Sequence, residues 1–282
     1  MRIAIAQLNS SMNKDENLDK VIDYIKEASK NDARLVAFPE FTMAYTPVEQ
    51  SVEDLCNIAE GIDGNFVSIV RSKAKEYGIS ILITIYEKSM NSKKVYDTAV
   101  LIAGDGSVSS VYRKLHLYDA LGFKESDKLL AGDDLAIPVR INNIKAGMMI
   151  CYDVRFPEMA RILTLFGSEL LLIPSAWVQG AMKLEHWQTM LKARAIENGC
   201  YVIAPDQVGN IYIGHSMAID PFGRVLLEMD DRYEGLGFVD VSIDVVREVR
   251  AKLPLLINRR VDVYSRYMVK DIINGFRFNF IQ

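Results

Sequence analysis

Two short apolar runs define the architecture: LVAFPEF at residues 35–41 and LLLIPSAW at residues 170–177. Continuous apolar runs of this length are typical of strands that are buried on both faces of a sheet. Each run ends in a proline that is followed by a polar residue, Glu40 in the first and Ser175 in the second. The similarity of the two runs predicts one domain with two related halves, built as two stacked sheets.

The rest of the chain supplies strands and amphipathic helices around these runs. Alternation of residue types predicts strands at 2–8, 80–88, 95–103, 108–116, 146–152, 200–207, 215–220, 224–229 and 236–242. Helical spacing predicts helices at 14–30, 65–77, 157–166 and 184–198. Such an order predicts an α/β protein with two mixed β-sheets covered by helices. We predict a single domain over 1–282, in which 245–282 forms a C-terminal tail with a short helix and an irregular aromatic end.

Composition excludes several classes of protein. The 282 residues are 50% hydrophobic and 25% charged, which is typical of a globular chain with a large core. The net charge of −4, without a basic run, argues against a nucleic-acid or anionic-membrane partner. Three widely spaced cysteines fit a reducing compartment better than a disulfide framework. No apolar run is long enough to span a bilayer, and no signal peptide is evident, so we expect a cytoplasmic protein.

The motifs of several enzyme classes are missing from the sequence. There are three histidines, and no HExxH or carboxylate–histidine cluster, which argues against a zinc hydrolase. Neither a P-loop, a dinucleotide-binding glycine motif nor a GxSxG elbow is present. We therefore predict chemistry without a metal or an organic cofactor.

Three residues stand at the ends of apolar strands, where reactive or charged groups are unexpected. Cys151 lies in ICYDVRFPE between a predicted strand and a predicted helix, Glu40 follows Phe-Pro, and Lys114 lies in VYRKLHLYD. Each has a simple structural interpretation: an inert core thiol, a turn acid and a solvated edge-strand lysine. Taken together, they supply a base, a cation and a thiol, which are the groups that acyl transfer requires in the absence of histidine.

The sequence resembles the nitrilase superfamily of carbon–nitrogen hydrolases. The resemblance rests on an ordered set of motifs: LVAFPE, YRKLHLYD, GFKESDKLLAGD, MMICYDVRFPE, LLLIPSAW, HWQTMLKARAIEN and GHSMAIDPFGRV. It implies a Glu40–Lys114–Cys151 triad in an α-β-β-α sandwich. It also implies that Glu125 bonds the lysine and positions substrate, unless it is an ordinary loop acid. Finally, it implies a homodimer that pairs through one helical layer, to which we expect the C-terminal tail to contribute contacts.

Within the superfamily, CYDVRFPE and LPLLINRRVDVY look most like the omega-amidases and deaminated glutathione amidases. Those enzymes remove ammonia from a primary amide on a small carboxylate-bearing substrate. The sequence departs from that branch in FTMAYTP after Glu40 and in SAWVQGAMKLEHW. Trp177 and Val178 of the second stretch would line the pocket, although Trp177 could equally be a core residue.

The expected reaction starts with attack of the Cys151 thiolate on an amide carbon, with Glu40 as the base. Lys114 and the backbone N–H of Tyr152 would hold the oxyanion. Arg155 is a candidate anchor for a substrate carboxylate, or else an ion-pair partner of Glu158 or another acid. Tyr118 belongs to a loop that would contact substrate. The same triad could serve a nitrilase or an N-carbamoyl amino acid amidohydrolase, and a catalytically silent binding protein is a further alternative.

Overall fold

Two mixed β-sheets face each other in the computed structural model, which describes residues 1–266. The first sheet contains β15 (Gly235–Asp240), β1 (Arg2–Gln7), β2 (Leu35–Ala37), β3 (Ser80–Lys88), β4 (Val95–Ile102) and β5 (Val108–Arg113), in that order, and β6 (Leu129–Leu130) beside β4. The second contains β14 (Val225–Glu228), β13 (Met217–Ile219), β10 (Tyr201–Ala204), β9 (Leu170–Leu172), β8 (Ile144–Met148) and β7 (Val139–Ile141). A separate ribbon pairs β11 (Val208–Gly209) with β12 (Tyr212–Ile213).

Each sheet is built on three parallel strands, with β2 at the centre of one triplet and β9 at the centre of the other. In the first sheet β1, β2 and β3 run parallel, and in the second β8, β9 and β10 do so. The two central strands are the apolar runs of the sequence, and every residue of both is buried. The carboxyl ends of parallel strands are where α/β proteins commonly place their ligands.

Helices cover the outer face of each sheet, which confirms the predicted sandwich. The helices are α1 (Lys14–Lys30), α2 (Val52–Ile58), α3 (Asn65–Tyr77), α4 (Pro157–Leu165), α5 (Lys183–Asn198), α6 (Ile243–Lys252) and α7 (Val261–Tyr264). The start of α1 is explained by Asn13, whose side chain accepts hydrogen bonds from the amides of Asp15 and Glu16. Pro157 occupies the first turn of α4, where its missing N–H costs nothing.

The alternation of β1 shows how the layers are separated. Ile3 and Ile5 are buried against the second sheet, in the core that also holds Trp187 and Leu191 of α5. Ala4 and Ala6 point to the opposite face, where they share a core with the helices α1 and α3. Both faces of this strand are apolar because it is covered on both sides.

Several strands end earlier than the sequence predicts, and three of these differences concern the candidate site. The strands predicted over 35–40, 108–116 and 146–152 end at Ala37, Arg113 and Met148. Glu40, Lys114 and Cys151 therefore lie in irregular segments just beyond the strands. Residues 38–40 and 149–151 remain buried after the strands end, and so does Lys114, so hydropathy alone could not locate the strand ends.

No helix within residues 1–266 is long and apolar enough to cross a membrane. Part of the predicted tail is described: α6 and α7 account for its helical portion, and 267–282 lie outside the described residues. The helix α2 was not predicted. Its capping box, formed by Ser51 and Asp54, is a sequence signal that could have located its start.

Candidate active site

Cys151 lies at a sharp reversal between β8 and α4. Its backbone φ is +44°, in the left-handed region that residues other than glycine seldom adopt. Its amide donates a hydrogen bond of 2.9 Å to the carbonyl of Pro174, just beyond β9. Residues 151–155 then form a single 3₁₀ turn. The strained backbone places the side chain at the carboxyl end of the parallel strands, a position that is common for functional residues.

Glu40 reaches the same place from the first sheet. Its amide donates to the carbonyl of Ser175 at 3.2 Å, so the segment after β2 contacts the segment after β9. One carboxylate oxygen accepts from the Lys114 ammonium at 2.7 Å, and the other accepts from the Ala176 amide at 2.8 Å. Only 1% of Glu40 is exposed. Both oxygens of this buried acid are therefore satisfied, as a buried charge requires.

Lys114 is fully buried among acids. Its Nζ donates to Glu40 and to both carboxylate oxygens of Glu125, at 2.9 and 3.1 Å. Burial alone would lower the pKa of Lys114, but the charges of Glu125 and Glu40 outweigh it and raise the pKa well above its ordinary value. The side chain is thus a permanent cation, which suits a group that stabilises negative charge and does not suit a base.

The Cys151 thiol is held in its neutral form at rest. Burial raises its pKa well above the ordinary value, and the negative charge of Glu40 adds to the effect. Lys114 and the Ala176 amide act in the opposite direction without reversing the shift. A thiol in this state needs a neighbouring base to become a nucleophile, and Glu40 is the acid that acts on it most strongly.

A cavity of about 290 Å³ opens above the thiol. Its walls include aromatic side chains from several loops: Phe41, Tyr86, Tyr118, Tyr152, Trp177 and Tyr212. Cavities of this size, with apolar walls and a few converging polar groups, are typical of sites for small ligands. Among residues 1–266, no three His, Cys, Asp or Glu side chains are grouped so that they could hold a metal ion.

Comparison with known proteins shows which family the chain belongs to. The family model described as carbon-nitrogen hydrolase matches residues 2–251. The chain belongs to the carbon–nitrogen hydrolase family. This agrees with the resemblance to the nitrilase superfamily, and relatives that are named amidases support an amidase-type hydrolase.

Relatives of this hydrolase are found among curated proteins and solved structures. It is 35% identical to the deaminated glutathione amidase of Escherichia coli O157:H7, over 92% of this chain and 97% of that protein. It matches the crystal structure of the C. elegans NitFhit protein with a TM-score of 0.87 and 30% identity, over 93% of this chain and 66% of that one. It also matches an amidase from Nesterenkonia sp. AN1 with a TM-score of 0.78 and 26% identity, over 95% of this chain and all of that one. The latter structure shows the result of Michael addition of acrylamide at the active site cysteine.

Asp153 connects the two loops that carry the lysine and the cysteine of this hydrolase. Its carboxylate accepts from the hydroxyl of Tyr112 at 2.6 Å and from the amide of Ile150 at 2.9 Å. It also contacts the His116 ring nitrogen Nδ1 at 2.7 Å, and that ring stacks on Phe156. These contacts tie His116, which follows Lys114 by two residues, to the loop that carries Cys151.

The other predicted site residues lie around the cavity. The Arg155 guanidinium lies 4.7 Å from the centre of the Trp177 ring, and no acid of residues 1–266 lies within 4.0 Å of it, so the alternative ion pair with Glu158 is not formed. Trp177 is buried and also lines the cavity, which satisfies both interpretations of this residue. The amide of Tyr118 donates to Glu125 at 2.7 Å.

The backbone N–H of Tyr152 is not used by an acceptor within residues 1–266. It follows the thiol directly in the 3₁₀ turn, and its neighbours Cys151 and Asp153 donate their amides to Pro174 and Ile150. A free amide next to a nucleophile is the arrangement that an oxyanion site needs.

Asp97 is a buried acid that sequence reasoning missed. It lies on β4 with both carboxylate oxygens lacking a hydrogen-bond donor within residues 1–266, and 3.9 Å separate it from the Lys114 ammonium. Burial raises its pKa well above the ordinary value, and the charge of Glu40 raises it further. Burial and the charge of Glu40 thus favour the protonated form of Asp97. An acid within the apolar strand VYDTAVLI is the signal that could have revealed it.

We expect the Asp97→Asn variant to gain stability over wild type as pH rises. In the unfolded chain Asp97 ionises near pH 4, whereas in the folded protein it keeps its proton, so the stability it contributes at low pH is lost as pH rises toward the folded pKa. The difference in the free energy of unfolding between Asp97→Asn and wild type should grow by up to about 1.4 kcal/mol per pH unit above pH 5. Urea unfolding at pH 5, 6 and 7 measures it. A difference that does not depend on pH would mean that Asp97 is ionised in the folded protein.

Lys183 is a second residue that the sequence did not single out. It begins α5, and its side chain enters the cavity, where its Nζ donates to the Tyr118 hydroxyl at 2.6 Å. The preceding residues SAWVQGAM form an irregular segment with Met182 at a φ of +59°. Sequence periodicity carries no signal for a lysine that turns inward at the start of a helix.

Proposed function

We propose that this hydrolase cleaves the primary amide of a small carboxylate-bearing substrate and releases ammonia through a Cys151 thioester. The observation that carries the proposal is the buried cluster in which Glu40 and Glu125 hold the Lys114 ammonium next to a protonated thiol. A base, a fixed cation and a nucleophile that are brought together are what amide hydrolysis requires in the absence of a histidine.

The first half of the reaction forms the thioester. Glu40 takes the Cys151 proton as the sulfur attacks the amide carbon, and the carbonyl oxygen becomes an oxyanion. The Lys114 ammonium and the Tyr152 N–H stabilise that charge. When the carbon–nitrogen bond breaks, Glu40 returns its proton to the leaving amino group, which departs as ammonia.

The second half regenerates the thiol. Glu40, again a carboxylate, takes a proton from a water molecule. The oxygen of that water attacks the thioester carbon at the same time. The carbon–sulfur bond then breaks, the sulfur recovers the proton from Glu40, and the carboxylic acid product leaves. Every proton moves through one side chain, because Lys114 is held permanently charged by its acidic neighbours.

The substrate class is supported by Arg155 and by the relatives. The guanidinium lies at the cavity wall without an acidic partner in residues 1–266, and such a group binds carboxylates in a bidentate manner. Several relatives, including the one from E. coli O157:H7, are named deaminated glutathione amidases. We infer that Arg155 is the anchor for the carboxylate of the substrate.

A substrate panel tests this function. We expect glutaramate to release ammonia in a time-resolved assay, and a matched nitrile and an N-carbamoyl amino acid to react at least about 100-fold more slowly. Arg155→Lys should lower kcat/KM for glutaramate by about 10-fold, because the lysine ammonium cannot bind a carboxylate in the bidentate manner of a guanidinium. A nitrile or a carbamoyl compound as the best substrate would reassign the reaction. An unchanged preference for glutaramate over pentanamide in the Arg155→Lys variant would exclude the anchor role.

We also propose that the protein forms a homodimer through the helical layer of α4 and α5. Large apolar side chains remain exposed on that layer: Ile162, Leu165, Phe166 and Ile196. A concentration of exposed apolar side chains on one layer supports a contact between subunits there.

A further inference from the structure

Lys183 is a cation buried in the wall of the cavity. Only 6% of the residue is exposed. Its Nζ donates to the Tyr118 hydroxyl at 2.6 Å and lies 4.6 Å from the centre of that ring. On another side, the Trp177 ring lies 5.4 Å away. An ammonium has three donor hydrogens, and this one uses a single acceptor, so it can still donate two hydrogen bonds.

The charge of Lys183 has no counterpart in the protein. Within residues 1–266, no carboxylate lies within 4.0 Å of its Nζ. Burying a cation without an anion is costly, and burial together with the charge of Arg155 lowers the pKa of Lys183. A stability argument cannot explain why a lysine occupies this position, because an apolar residue would be favoured there.

Arg155 brings a second cation to the same wall. Its guanidinium lies 4.7 Å from the centre of the Trp177 ring, so both cations contact one indole. The acids Glu40 and Glu125 are already bonded to Lys114. Lys114 is therefore balanced by its acids, whereas Arg155 and Lys183, which line the cavity, have no carboxylate within 4.0 Å in the described part of the chain.

We propose that Lys183 is a specificity-determining residue that binds the anionic group of the substrate jointly with Arg155. The substrate class is then a primary amide whose acyl chain ends in a carboxylate, placed so that its oxygens reach both cations while the amide carbon reaches Cys151. This inference rests on the proposed function and deepens it. The Tyr118 hydroxyl holds the lysine in position, and Trp177 keeps the two cations at the wall.

The variant Lys183→Met tests the proposal, because methionine fills the same space without the charge. The readout is the ratio of kcat/KM for glutaramate to that for pentanamide, which carries a methyl group in place of the carboxylate. We expect the ratio to fall by about 10–100-fold, mainly through KM, since a charged hydrogen bond is lost. Lys192→Met on the same helix is the matched control, and its ratio should equal that of wild type.

Two further measurements separate this role from a structural one. If Lys183 served stability, Lys183→Met would unfold at a lower temperature, whereas removal of an uncompensated buried charge should leave the melting temperature equal or higher. If the lysine acted only by positioning Tyr118, Tyr118→Phe would reproduce the full fall in the ratio, and we expect it to cause a smaller one. A full fall in Tyr118→Phe or a lower melting temperature in Lys183→Met would overturn the proposal.

Binding of glutarate, a dianion that cannot be hydrolysed, keeps the inference separate from the reaction. Calorimetry should show that Lys183→Met binds glutarate at least about 10-fold more weakly than wild type. If neither amide is hydrolysed by wild type, the proposed function fails. The glutarate measurement still shows whether Lys183 belongs to an anion-binding site. If the amides are hydrolysed but neither the ratio nor the glutarate affinity changes in Lys183→Met, the function stands and the role of Lys183 is refuted.

Discussion

Cys151→Ala should abolish ammonia release from glutaramate, with a loss of about 10⁴-fold or more in kcat. The sulfur is the atom that forms the thioester, and neither Glu40 nor Lys114 can replace it as a nucleophile, because one is needed as the base and the other is held as a cation. The substitution removes a single atom from a buried side chain, so the fold should persist. Steady-state ammonia release and circular dichroism check both parts.

Cys200→Ala is the matched control for this variant. Cys200 is also buried, and burial raises the pKa of its thiol to about 12. It lies in the core next to Arg194, away from the cavity lining, and its sulfur contacts a backbone carbonyl. We expect full activity from this variant. Turnover by Cys151→Ala within 10-fold of wild type would remove the nucleophile assignment.

Glu40→Gln should lower kcat by about 10²–10⁴-fold, which is the usual contribution of a general base. The amide keeps an oxygen that can accept from the Ala176 N–H, so the loop should hold its conformation. It cannot take the proton of the Cys151 thiol, whose pKa is raised by burial. The expected loss is therefore in the chemical step, and rapid-quench measurement of the first turnover detects it.

Glu125→Gln provides a matched comparison, since both glutamates are bonded to the same lysine. Either substitution removes one negative charge next to Lys114. We propose that only Glu40 acts as the base, so Glu125→Gln should lose about 10-fold through weaker positioning of Lys114 and of substrate. Equal losses in the two variants would show that the charge on Lys114, and not proton transfer by Glu40, explains the effect.

Much of the fold could be predicted from the pattern of apolar and polar residues along the sequence. The apolar runs at 35–41 and 170–177 became the central strands β2 and β9, and the long periodic helix at 14–30 has the bounds of α1. The errors are short elements that were not predicted, among them α2 and β7, and the ends of predicted strands. Burial continues beyond the carboxyl ends of β2 and β8 as far as Glu40 and Cys151, and Lys114 is buried directly after β5, so the pattern does not mark where the strands end.

The residues of the candidate site differ in how well they could be predicted from the sequence. Cys151, Glu40 and Lys114 could be singled out because a reactive or charged side chain within an apolar run is unexpected. Lys183 could not, because a lysine at the start of a helix is ordinary until the fold turns it inward. Asp97 was overlooked because a single acid on a strand is as easily solvated as buried.

The sequence alone determined the kind of molecule: apolar runs of strand length demand burial on both faces, and amphipathic helices must cover the sheets, because apolar area is stabilised only when it leaves water. It also determined which chemical groups were available. Only the tertiary structure decided that Glu40, 74 residues before Lys114, lies 2.7 Å from its ammonium, and that Lys183 and Arg155 share one wall. The physical reason is that charge interactions depend on distance and burial in space, and neither is encoded in local spacing along the chain.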